Sequence, residues 1–399
     1  MMPKEPKITL CMIVHNEEAN LERALLSVKE LVDEIVVVDS NSQDATREIA
    51  LKHGAAVYDY EWHDDFAAAR NFSLKQAQGD WILVLDADEV IAKRDHDEIR
   101  AIMHGEKYEA AGFYQRNYFE DPSAENWCAN RTDYEEGKQF TGYADVPVIR
   151  FFKNIPHIYF EGIVHELVDD TITPRKIKYT DIPIHHYRKD FRSEAAREKQ
   201  ERYLRILLKE YGNDPYSVKT CFLLGRQYHD LQRYPEAVAY LERATQLGTN
   251  SELVYTNLAS AYYHCTMYAE AIEVLEKVIG FNARYSEAFM MLGIAYYETG
   301  RVQEAINSLV KAVNLRPTSV LYRYNLGAVY YKERNLEAAE STLREAVRLC
   351  PKFTRAFFLL YYTLEEEKKY AEAIEVSRIL EQMDMELFNK IKDRAQLLR

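Results

Sequence analysis

The sequence predicts a two-part protein, in which an α/β domain with a mostly parallel sheet is followed by an all-α repeat array. Over residues 8–88, apolar runs alternate with stretches of helical apolar spacing, in the β-α-β-α-β-α-β order of a doubly wound sheet. Beyond residue 217 the sequence repeats with a period of 34 residues. At 399 residues the chain is long enough for two or three domains.

The predicted strands are short apolar runs without polar alternation, which suits strands buried on both faces of a parallel sheet. Helical spacing separates them: the first predicted helix has apolar residues at Leu21, Ala24, Leu25, Val28 and Leu31. Three runs are followed closely by acidic residues at the same expected sheet edge. These runs are 8–14, 35–38 and 81–85, and the acidic residues are Glu17, Asp39, and the pair Asp86 and Asp88.

Ligands of open α/β sheets bind just beyond the carboxyl ends of the strands. Asp86, Asp88 and Glu89 would repel one another at that edge unless a positive group neutralised them. A hard divalent cation takes oxygen ligands and leaves room for phosphates. The stretch therefore predicts a metal–diphosphate site, and the alternative from this stretch alone is an acidic turn without a ligand.

No glycine-rich phosphate loop accompanies these strands, because neither Gly-x-Gly-x-x-Gly after the first strand nor Gly-x4-Gly-Lys-Ser/Thr occurs. A nucleotide would then be held by carboxylates, while a metal carries its diphosphate. Asp39 suits a base N–H or a ribose hydroxyl, and Glu17 suits a ribose. Arg70 offers a permanent cation for phosphate, or else a surface salt bridge with Asp64 or Asp65.

Four motifs stand in order along this part of the chain. They are Asn16-Glu17 after the first strand, Val36-Val37-Val38-Asp39-Ser40-x-Ser42-x-Asp44-x-Thr46, Ala69-Arg70-Asn71 and Leu85-Asp86-Ala87-Asp88-Glu89. The ordered set resembles family 2 glycosyltransferases with the Rossmann-like GT-A fold, over roughly residues 6–190. The resemblance implies an inverting transfer from a nucleotide sugar, usually a UDP-sugar, with Mg²⁺ or Mn²⁺.

Carried over by position, the resemblance implies that Asp39 contacts uracil, that Asp86 contacts the ribose or the metal, and that Asp88 is the metal ligand proper. The expected donor-binding set is Val14, Asn16, Glu17, Asp39, Arg70 and Asp86. His186 resembles the late histidine that completes the metal or diphosphate site in GT-A enzymes, and His185 is the fallback. A His-His pair also has a purely structural interpretation.

A single displacement needs a general base that takes the acceptor's proton. Glu161, His165 and Glu166 form a tight acid and imidazole cluster, and their segment resembles the Gly-x-x-His-Glu of this branch of the family. Glu166 is the first choice for the base, Glu161 is the alternative and His165 is a neighbour; an ion pair at a strand end is the structural alternative. The polar and aromatic stretch 119–144 is the expected place for acceptor binding or for a lid over the donor.

A rival motif overlaps the acidic stretch. Asp86-Ala87-Asp88-Glu89-Val90 also fits the Asp-x-Asp-x-Thr/Val signature of haloacid-dehalogenase-like phosphatases, in which the first aspartate is a nucleophile. That signature lies on the first strand of its domain, whereas three predicted strands precede it here, and no Gly-Asp-x3-Asp follows. We therefore prefer the transferase interpretation.

The 34-residue period is the tetratricopeptide (TPR) pattern, with a small residue where two helices cross. It is carried by Leu224-Gly225, Leu258-Ala259, Leu292-Gly293 and Leu326-Gly327, and by Ala237, Ala271, Ala305, Ala339 and Ala373. Such repeats stack into a superhelix with a concave groove. Two mostly aromatic, uncharged rows are expected to line it: His229, Tyr263, Tyr297 and Tyr331, and Phe222, Thr256, Met290, Tyr324 and Phe358. They favour an extended peptide or a protein surface, and self-association is the alternative.

Composition limits the partners and the compartment. A net charge of −13 argues against general binding to nucleic acid or anionic membranes. Five scattered cysteines without a Cys-x-x-Cys pair indicate reduced thiols, and no apolar run approaches the roughly 18 residues of a membrane span. We expect a cytoplasmic protein without a transmembrane segment, divided into a GT-A domain at 1–190, a connector helix at 191–217 and a TPR domain at 218–399.

The sequence thus predicts a metal-dependent, inverting glycosyltransferase of the hexosyltransferase class. It resembles bacterial enzymes that glycosylate peptides or proteins, with the repeats binding the acceptor or forming a homodimer. The second hypothesis is an enzyme for a lipid-linked or lipopolysaccharide sugar acceptor, whose repeats serve dimerisation or scaffolding. A non-enzymatic scaffold is the third, and the intact Asp39, Asp86 and Asp88 argue against it.

Overall fold

The computed structural model describes residues 5–105, 107–119, 127–187 and 194–383, together with residues 385, 388 and 389. The chain divides into two compact units, the first formed by residues 1–118 and 132–210 and the second by residues 119–131 and 211–399. The predicted fold class is confirmed: a mostly parallel α/β part is followed by a TPR-like helical array. The predicted domain boundary at 190/191 lies outside the described residues, and both predicted boundaries, 190/191 and 217/218, stay predictions.

The α/β part alternates strands and helices over residues 8–84, as the apolar runs predict. The strands of the chain are β1 (Ile8–Val14), β2 (Glu34–Asp39), β3 (Ala56–Asp59), β4 (Trp81–Val84), β5 (Glu89–Ile91), β6 (Ala110–Phe119), β7 (Cys128–Ala129), β8 (Gly142–Lys153) and β9 (Ile177–His186). Of these, β7 lies among residues 119–131, which belong to the second unit. The helices are α1 (Leu21–Val28), α2 (Thr46–Lys52), α3 (Phe66–Gln76), α4 (His96–Met103) and α5 (Glu194–Asn213).

The sheet has the strand order β3-β2-β1-β4-β8-β6-β9-β5. The strands β3, β2, β1 and β4 are all parallel, so their carboxyl ends lie along one edge. Two antiparallel pairings follow, β4 with β8 and β5 with β9, while β6 and β9 are parallel. The antiparallel pairings matter for function because they return later parts of the chain to the edge where β4 ends.

Alternate residues of β1 face two different hydrophobic layers. Leu10 and Met12 pack in the cluster that contains Leu25 of α1. Cys11, between them, packs in a second cluster with Ala67 of α3. Because both faces of the strand are covered by helices, its run of apolar residues needs no polar alternation.

The second unit repeats a pair of helices every 34 residues, as the sequence period predicts. The first helices of the pairs are α6 (Val218–Asp230), α8 (Glu252–His264), α10 (Ser286–Glu298), α12 (Val320–Lys332) and α14 (Thr354–Glu366). Their partners are α7 (Tyr234–Gln246), α9 (Tyr268–Phe281), α11 (Val302–Leu315), α13 (Leu336–Leu349) and α15 (Tyr370–Met383).

A small residue lies where the two helices of a pair cross, and at Gly225 and Gly293 the space admits only glycine. A Cβ atom at Gly293 would lie 2.4 Å from Cγ of Leu309, and one at Gly225 would lie 2.4 Å from Cγ of Leu241. The sequence period predicted a small residue at this position, and the close contacts give the reason for it, since a larger side chain would collide with the partner helix.

The second unit also contains residues of the stretch 119–144 for which we predicted acceptor binding or a lid. Trp127 is 4% exposed and belongs to the same hydrophobic cluster as Phe353 and Phe357. Its Nε1 donates to the Phe119 carbonyl at 3.3 Å. Trp127 is therefore a core residue of this unit, while residues 120–126 lie outside the described part of the chain. No helix among the described residues has the length and apolarity to cross a membrane.

Candidate functional site

The carboxyl ends of β1 and β2 place two candidate residues side by side. Val14 lies opposite Asp39 in the parallel register, and the Ser40 N–H donates to the Val14 carbonyl at 3.0 Å. Asp39 is 3% exposed, and its Oδ1 accepts from the N–H and the hydroxyl of Ser42 at 3.2 and 2.5 Å. Its Oδ2 lies 3.9 Å from Nη1 of Arg47. A fixed carboxylate, which can only accept, suits a base N–H or a ribose hydroxyl.

The turn after β1 connects the loops that follow β1 and β2. Asn16 has a φ of 54°, in the left-handed region that asparagine tolerates better than most residues. Its N–H donates to Oγ of Ser42 at 2.9 Å, and its Oδ1 accepts from the Gln43 N–H at 2.8 Å. The Glu17 N–H donates to Oγ1 of Thr46 at 2.7 Å. Asn16 therefore shapes this turn, and Glu17 is held at the same edge as Asp39.

Helix α3 carries Arg70 and is fastened to the segment 160–167, which contains the three candidate bases. Two hydrogen bonds join the side chain of Asn71 to the backbone of Phe160, at 2.8 and 2.9 Å. The first residue of α3 also donates its N–H to a carbonyl of the segment at 3.0 Å. These contacts fix the segment against the helix.

Arg70 connects two of the predicted carboxylates. Its Nε donates to Oε1 of Glu166 at 2.5 Å, and its Nη2 donates to Oδ1 of Asp86 at 2.6 Å. Burial lowers the pKa of Arg70, but Asp86 and Glu166 outweigh it and raise that pKa above its usual value. Burial raises the pKa of Asp86, whereas Arg70 and Arg150 lower it further, so that it lies well below its ordinary range. Arg70 is thus committed to carboxylates, and its contact with phosphate stays a prediction.

Arg150 on β8 completes this network. Its Nη2 lies 3.1 Å from Oδ2 of Asp86 and 3.4 Å from Oε1 of Glu89. Glu89 is fully buried, accepts from Gln115, and accepts from the Asp86 N–H at 2.8 Å. Glu89 therefore holds the turn that carries Asp86. The guanidiniums of Arg70 and Arg150 face three carboxylates, those of Asp86, Glu89 and Glu166, so carboxylates outnumber arginines in this network by one. Asp88, two residues after Asp86, adds a further carboxylate beside it.

The antiparallel pairing of β5 and β9 brings Asp88 and His186 together. Glu89 lies opposite His186 in the register, and Oδ2 of Asp88 is 3.2 Å from Nε2 of His186. His185 faces the other side of the sheet, where it is fully buried and its Nδ1 lies 2.6 Å from the hydroxyl of Tyr118. His186, and not His185, is therefore the histidine beside the candidate metal ligand.

The orientation of His186 shows what fits between it and Asp88. Nδ1 of His186 donates to Oδ1 of Asn117 at 2.7 Å. Nδ2 of Asn117 donates to the Gln115 carbonyl at 3.2 Å, which fixes the amide with its oxygen toward the ring. A neutral imidazole then presents the lone pair of Nε2 to a carboxylate, an arrangement that needs a proton or a metal ion between them.

The donor set therefore fits a hard cation that keeps most of its ligands from the substrate. Asp88 and His186 supply one carboxylate and one imidazole, which leaves positions for phosphate oxygens and water. Asp86 is engaged by two arginines. Over the described ranges, no group of three or more His, Cys, Asp or Glu residues is arranged to hold a metal.

The three candidate bases have different surroundings. Glu166 belongs to the ionic network of Arg70 and is 11% exposed at its side chain. Glu161 accepts a hydrogen bond from Tyr159, which raises the pKa of that tyrosine. His165 is exposed, has a φ of 55°, and its ring lies edge-on to Tyr203 at 5.8 Å. Of the three, Glu166 is the one that binds the same arginine, Arg70, as Asp86.

Helix α5 adds two polar residues to the same region of the first unit. The ring of Tyr203 packs edge-to-face on Phe66 at 5.6 Å, and Nζ of Lys199 lies 5.6 Å from the centroid of Tyr203. Loss of hydration lowers the pKa of Lys199, but Tyr203, Asp86 and Asp88 outweigh it, so that the pKa lies above its usual value. A charged lysine is therefore within electrostatic reach of both aspartates.

Four residues that take part in this site were not predicted from the sequence. Arg150 interrupts the apolar run 148–152 of a predicted buried strand, and that interruption was a usable signal. Asn117 lies in a strand without a distinguishing pattern. Lys199 and Tyr203 lie on a charged helix that we interpreted as a connector, in which no single lysine stands out.

Family models match both parts of the chain. Residues 9–155 match glycosyl transferase family 2. Residues 293–333 match a TPR repeat model, and residues 218–247, 253–285 and 321–353 match a tetratricopeptide repeat model. The predicted family 2 glycosyltransferase domain and its C-terminal tetratricopeptide repeats are thereby confirmed. The first match includes Asp39, Asp86 and Asp88, and it ends before the candidate bases.

Several curated proteins are similar to parts of the chain. A TPR repeat-containing protein of Synechococcus elongatus is 38% identical over 166 residues, which are 42% of this chain and 36% of the relative. The SPbeta prophage-derived glycosyltransferase SunS of Bacillus subtilis is 26% identical over 242 residues, 60% of this chain and 53% of the relative. An uncharacterized glycosyltransferase of Rickettsia bellii is 39% identical over 109 residues, 27% and 37% of the two chains. The chain spans about half or less of the length of these relatives.

Among solved structures, the chain is similar to a thermophilic TPR protein of Thermus thermophilus, with 22% identity, a TM-score of 0.38, and coverage of 46% of this chain and 100% of the other. It is also similar to pilF of Pseudomonas aeruginosa, with 16% identity, a TM-score of 0.43, and coverage of 50% and 92%.

Proposed function

We propose that this chain, which carries a family 2 glycosyltransferase domain, transfers a sugar from a UDP-sugar to an acceptor with inversion at the anomeric carbon. One observation carries the proposal. Asp39 ends β2, and Asp86 and Asp88 follow the end of β4, so all three lie at the carboxyl ends of parallel strands and inside the region that matches the family. Ligands of open α/β sheets bind at this edge.

In this proposal the nucleotide lies along the ends of β1 and β2. Asp39, which Ser42 holds in place, accepts the imide N–H of uracil, and Val14 lies beside it in the register. Glu17 accepts from a ribose hydroxyl, and Asn16 keeps the turn in shape. The nucleotide is thus held mainly by acceptor groups, which agrees with the missing glycine-rich loop.

Asp88 and His186 are the proposed protein ligands of Mg²⁺ or Mn²⁺, and Asp86 accepts from the ribose or reaches the ion through water. A divalent ion at this position would neutralise the departing diphosphate. Arg70 and Arg150 keep Asp86 ionised. Asn117 holds the His186 ring so that its Nε2 faces Asp88.

Glu166 is the proposed general base, with Glu161 as the alternative and His165 as a neighbour. Arg70 binds Oε1 of Glu166 and orients the carboxylate. As the acceptor atom attacks the anomeric carbon, its proton moves to Glu166. The bond between the anomeric carbon and the diphosphate oxygen breaks on the opposite face, and the electron pair leaves with the diphosphate.

The acceptor is proposed to be a peptide or protein that the TPR array binds. In the row that we expect to line the groove, the side chains are half-buried, and the polar ends of His229, Tyr297 and Tyr331 bond to the following repeat. Tyr297 donates to Glu333 at 3.1 Å and Tyr331 donates to Glu366 at 2.8 Å. The hydroxyls are thereby satisfied, and the aromatic faces suit an extended peptide or a second copy of the chain. The scattered cysteines, which form no Cys-x-x-Cys pair, fit a cytoplasmic protein.

A donor screen tests the catalytic proposal. UDP release from UDP-sugars is measured with and without Mn²⁺, using the full chain and the variant Asp88→Asn. We expect release to depend on Mn²⁺ and to fall about 100-fold or more in the variant. Asp97→Asn, an exposed aspartate on α4, is the matched control and should release UDP like wild type. If no UDP-sugar is bound or hydrolysed and Asp88→Asn equals wild type, the metal-site proposal fails.

A second experiment identifies the class of acceptor. The full chain is incubated with a labelled UDP-sugar and a cell extract, and label is measured in the protein and peptide fraction and in the organic-solvent extract. Label in the first fraction, absent with Asp88→Asn, supports a peptide or protein acceptor. Label confined to the organic extract instead supports the lipid-linked acceptor.

A further inference from the structure

The two buried arginines of the site are already paired with carboxylates. Arg70 contacts Asp86 and Glu166, and Arg150 contacts Asp86 and Glu89. Their charges therefore compensate the protein's own acidic groups. A departing nucleoside diphosphate gains negative charge and requires further positive charge beside it.

We propose that Lys199 of helix α5 binds the diphosphate of the donor, and that Tyr203 positions it. The inference rests on the proposed function, because it assigns a new contact within the same donor site. It makes the helix that follows the α/β sheet a part of the active site rather than only a connector. Lys199 lies beyond residues 9–155, the region that matches the family.

The contacts of α5 within the first unit fix the position of Lys199. Lys199, Arg202 and Tyr203 are three and four residues apart, so they share one face of the helix. Arg202 lies over the ring of Trp62 at 5.0 Å, and Tyr203 packs on Phe66 at 5.6 Å. Leu204 and Leu207 of the same helix are buried. This face of α5 is thus held against the start of α3, the helix that carries Arg70.

The surroundings of Lys199 suit a phosphate contact. The residue as a whole is exposed, and its ammonium nitrogen lies 5.6 Å from the ring centroid of Tyr203. The ring of Tyr203 also lies edge-on to His165 at 5.8 Å, so Lys199 and Tyr203 lie near the segment that carries Glu166, the partner of Arg70. A lysine binds phosphate as a point charge with three donors. It donates hydrogen bonds to the diphosphate oxygen that receives the electron pair, and no proton has to be transferred.

The test measures binding of UDP and uridine by calorimetry, in Mn²⁺, to the full chain and four variants. Lys199→Met should weaken UDP binding by about 10- to 100-fold and leave uridine binding unchanged. Lys199→Arg retains the charge and should restore most of the UDP affinity. Lys209→Met, which removes another exposed lysine of α5, is the matched control and should bind UDP like wild type.

Tyr203→Phe keeps the ring and removes the hydroxyl, so a positioning role predicts a smaller loss of UDP affinity with uridine binding intact. Equal UDP affinity of Lys199→Met and wild type would overturn the inference and leave the proposed function standing. A parallel loss of UDP and uridine binding would also overturn it, because a diphosphate contact cannot weaken uridine. Failure of wild type to bind UDP would overturn both the inference and the UDP-sugar proposal.

Discussion

Replacing Arg70 with methionine perturbs the ionic network at its centre. Methionine keeps much of the length and flexibility of the side chain, so the main change is the loss of one buried cation. Asp86 loses a partner at 2.6 Å but keeps Arg150 at 3.1 Å. Glu166, 11% exposed at its side chain, loses the guanidinium at 2.5 Å. Glu166 is therefore the charge that this variant leaves without compensation.

The structure sets the expected magnitude. Removing one partner of a buried ion pair costs about 3–5 kcal/mol. Asp86 retains a second arginine and its side chain is 34% exposed, so we expect the lower end, about 3 kcal/mol. Adding Glu166→Gln to Arg70→Met removes the uncompensated charge and should recover about 1–2 kcal/mol. The exposed pair Lys93–Glu30, with side chains 75% and 66% exposed, is the comparison, and Lys93→Met should cost clearly less stability than Arg70→Met.

Urea unfolding followed by tryptophan fluorescence measures these free energies, since Trp62 and Trp81, two of the three tryptophans, lie in the first unit. UDP release is measured on the same samples and should fall in Arg70→Met, because both Asp86 and Glu166 lose their orientation. Two outcomes would refute the reasoning. One is a cost for Arg70→Met no larger than that for Lys93→Met, and the other is a double variant less stable than Arg70→Met alone.

Two further predictions concern packing and pH. Gly293→Ala places a Cβ 2.4 Å from Cγ of Leu309, so overpacking of about 1–3 kcal/mol should exceed the helix-propensity gain of about 1 kcal/mol and lower the thermal midpoint. A Cβ atom at Gly280 would meet nothing within 4 Å, so Gly280→Ala should raise the thermal midpoint. If both variants shifted the thermal midpoint in the same direction, the packing argument would be contradicted. Burial and, to a smaller extent, nearby arginines lower the pKa of His185 from 6.5 to about 3. The neutral side chain of His185 therefore stabilises the fold fully above pH 6.5, and this stabilisation is lost as the pH falls toward 3. Between pH 7 and 5 this amounts to about 2 kcal/mol. His185→Asn, which keeps an acceptor for Tyr118, should flatten that dependence in urea unfolding, and an unchanged slope would count against it.

The sequence by itself determined the features that depend on local order. Apolar runs fixed the strands β1, β2 and β4, because a strand buried on both faces needs apolar residues at every position. The 34-residue period fixed the repeat helices, since a small residue, glycine or alanine, recurs where the two helices of a pair cross. The direction of the strands was sufficient to place Asp39, Asp86 and Asp88 at one edge of the sheet, because the carboxyl ends of parallel strands lie along the same edge.

Only the tertiary structure decided which side chains meet across long stretches of the chain. The register of β5 against β9 selects His186 over His185, because neighbouring residues of a strand face opposite sides and a shift of one residue would exchange them. The antiparallel return of β8 brings Arg150 to Asp86, and the packing of α5 on the start of α3 places Lys199 beside Tyr203. Charge compensation acts over a few ångströms in space and is independent of sequence distance. A one-dimensional pattern can therefore show that the acidic edge needs cations, while only the packed chain shows which residues supply them.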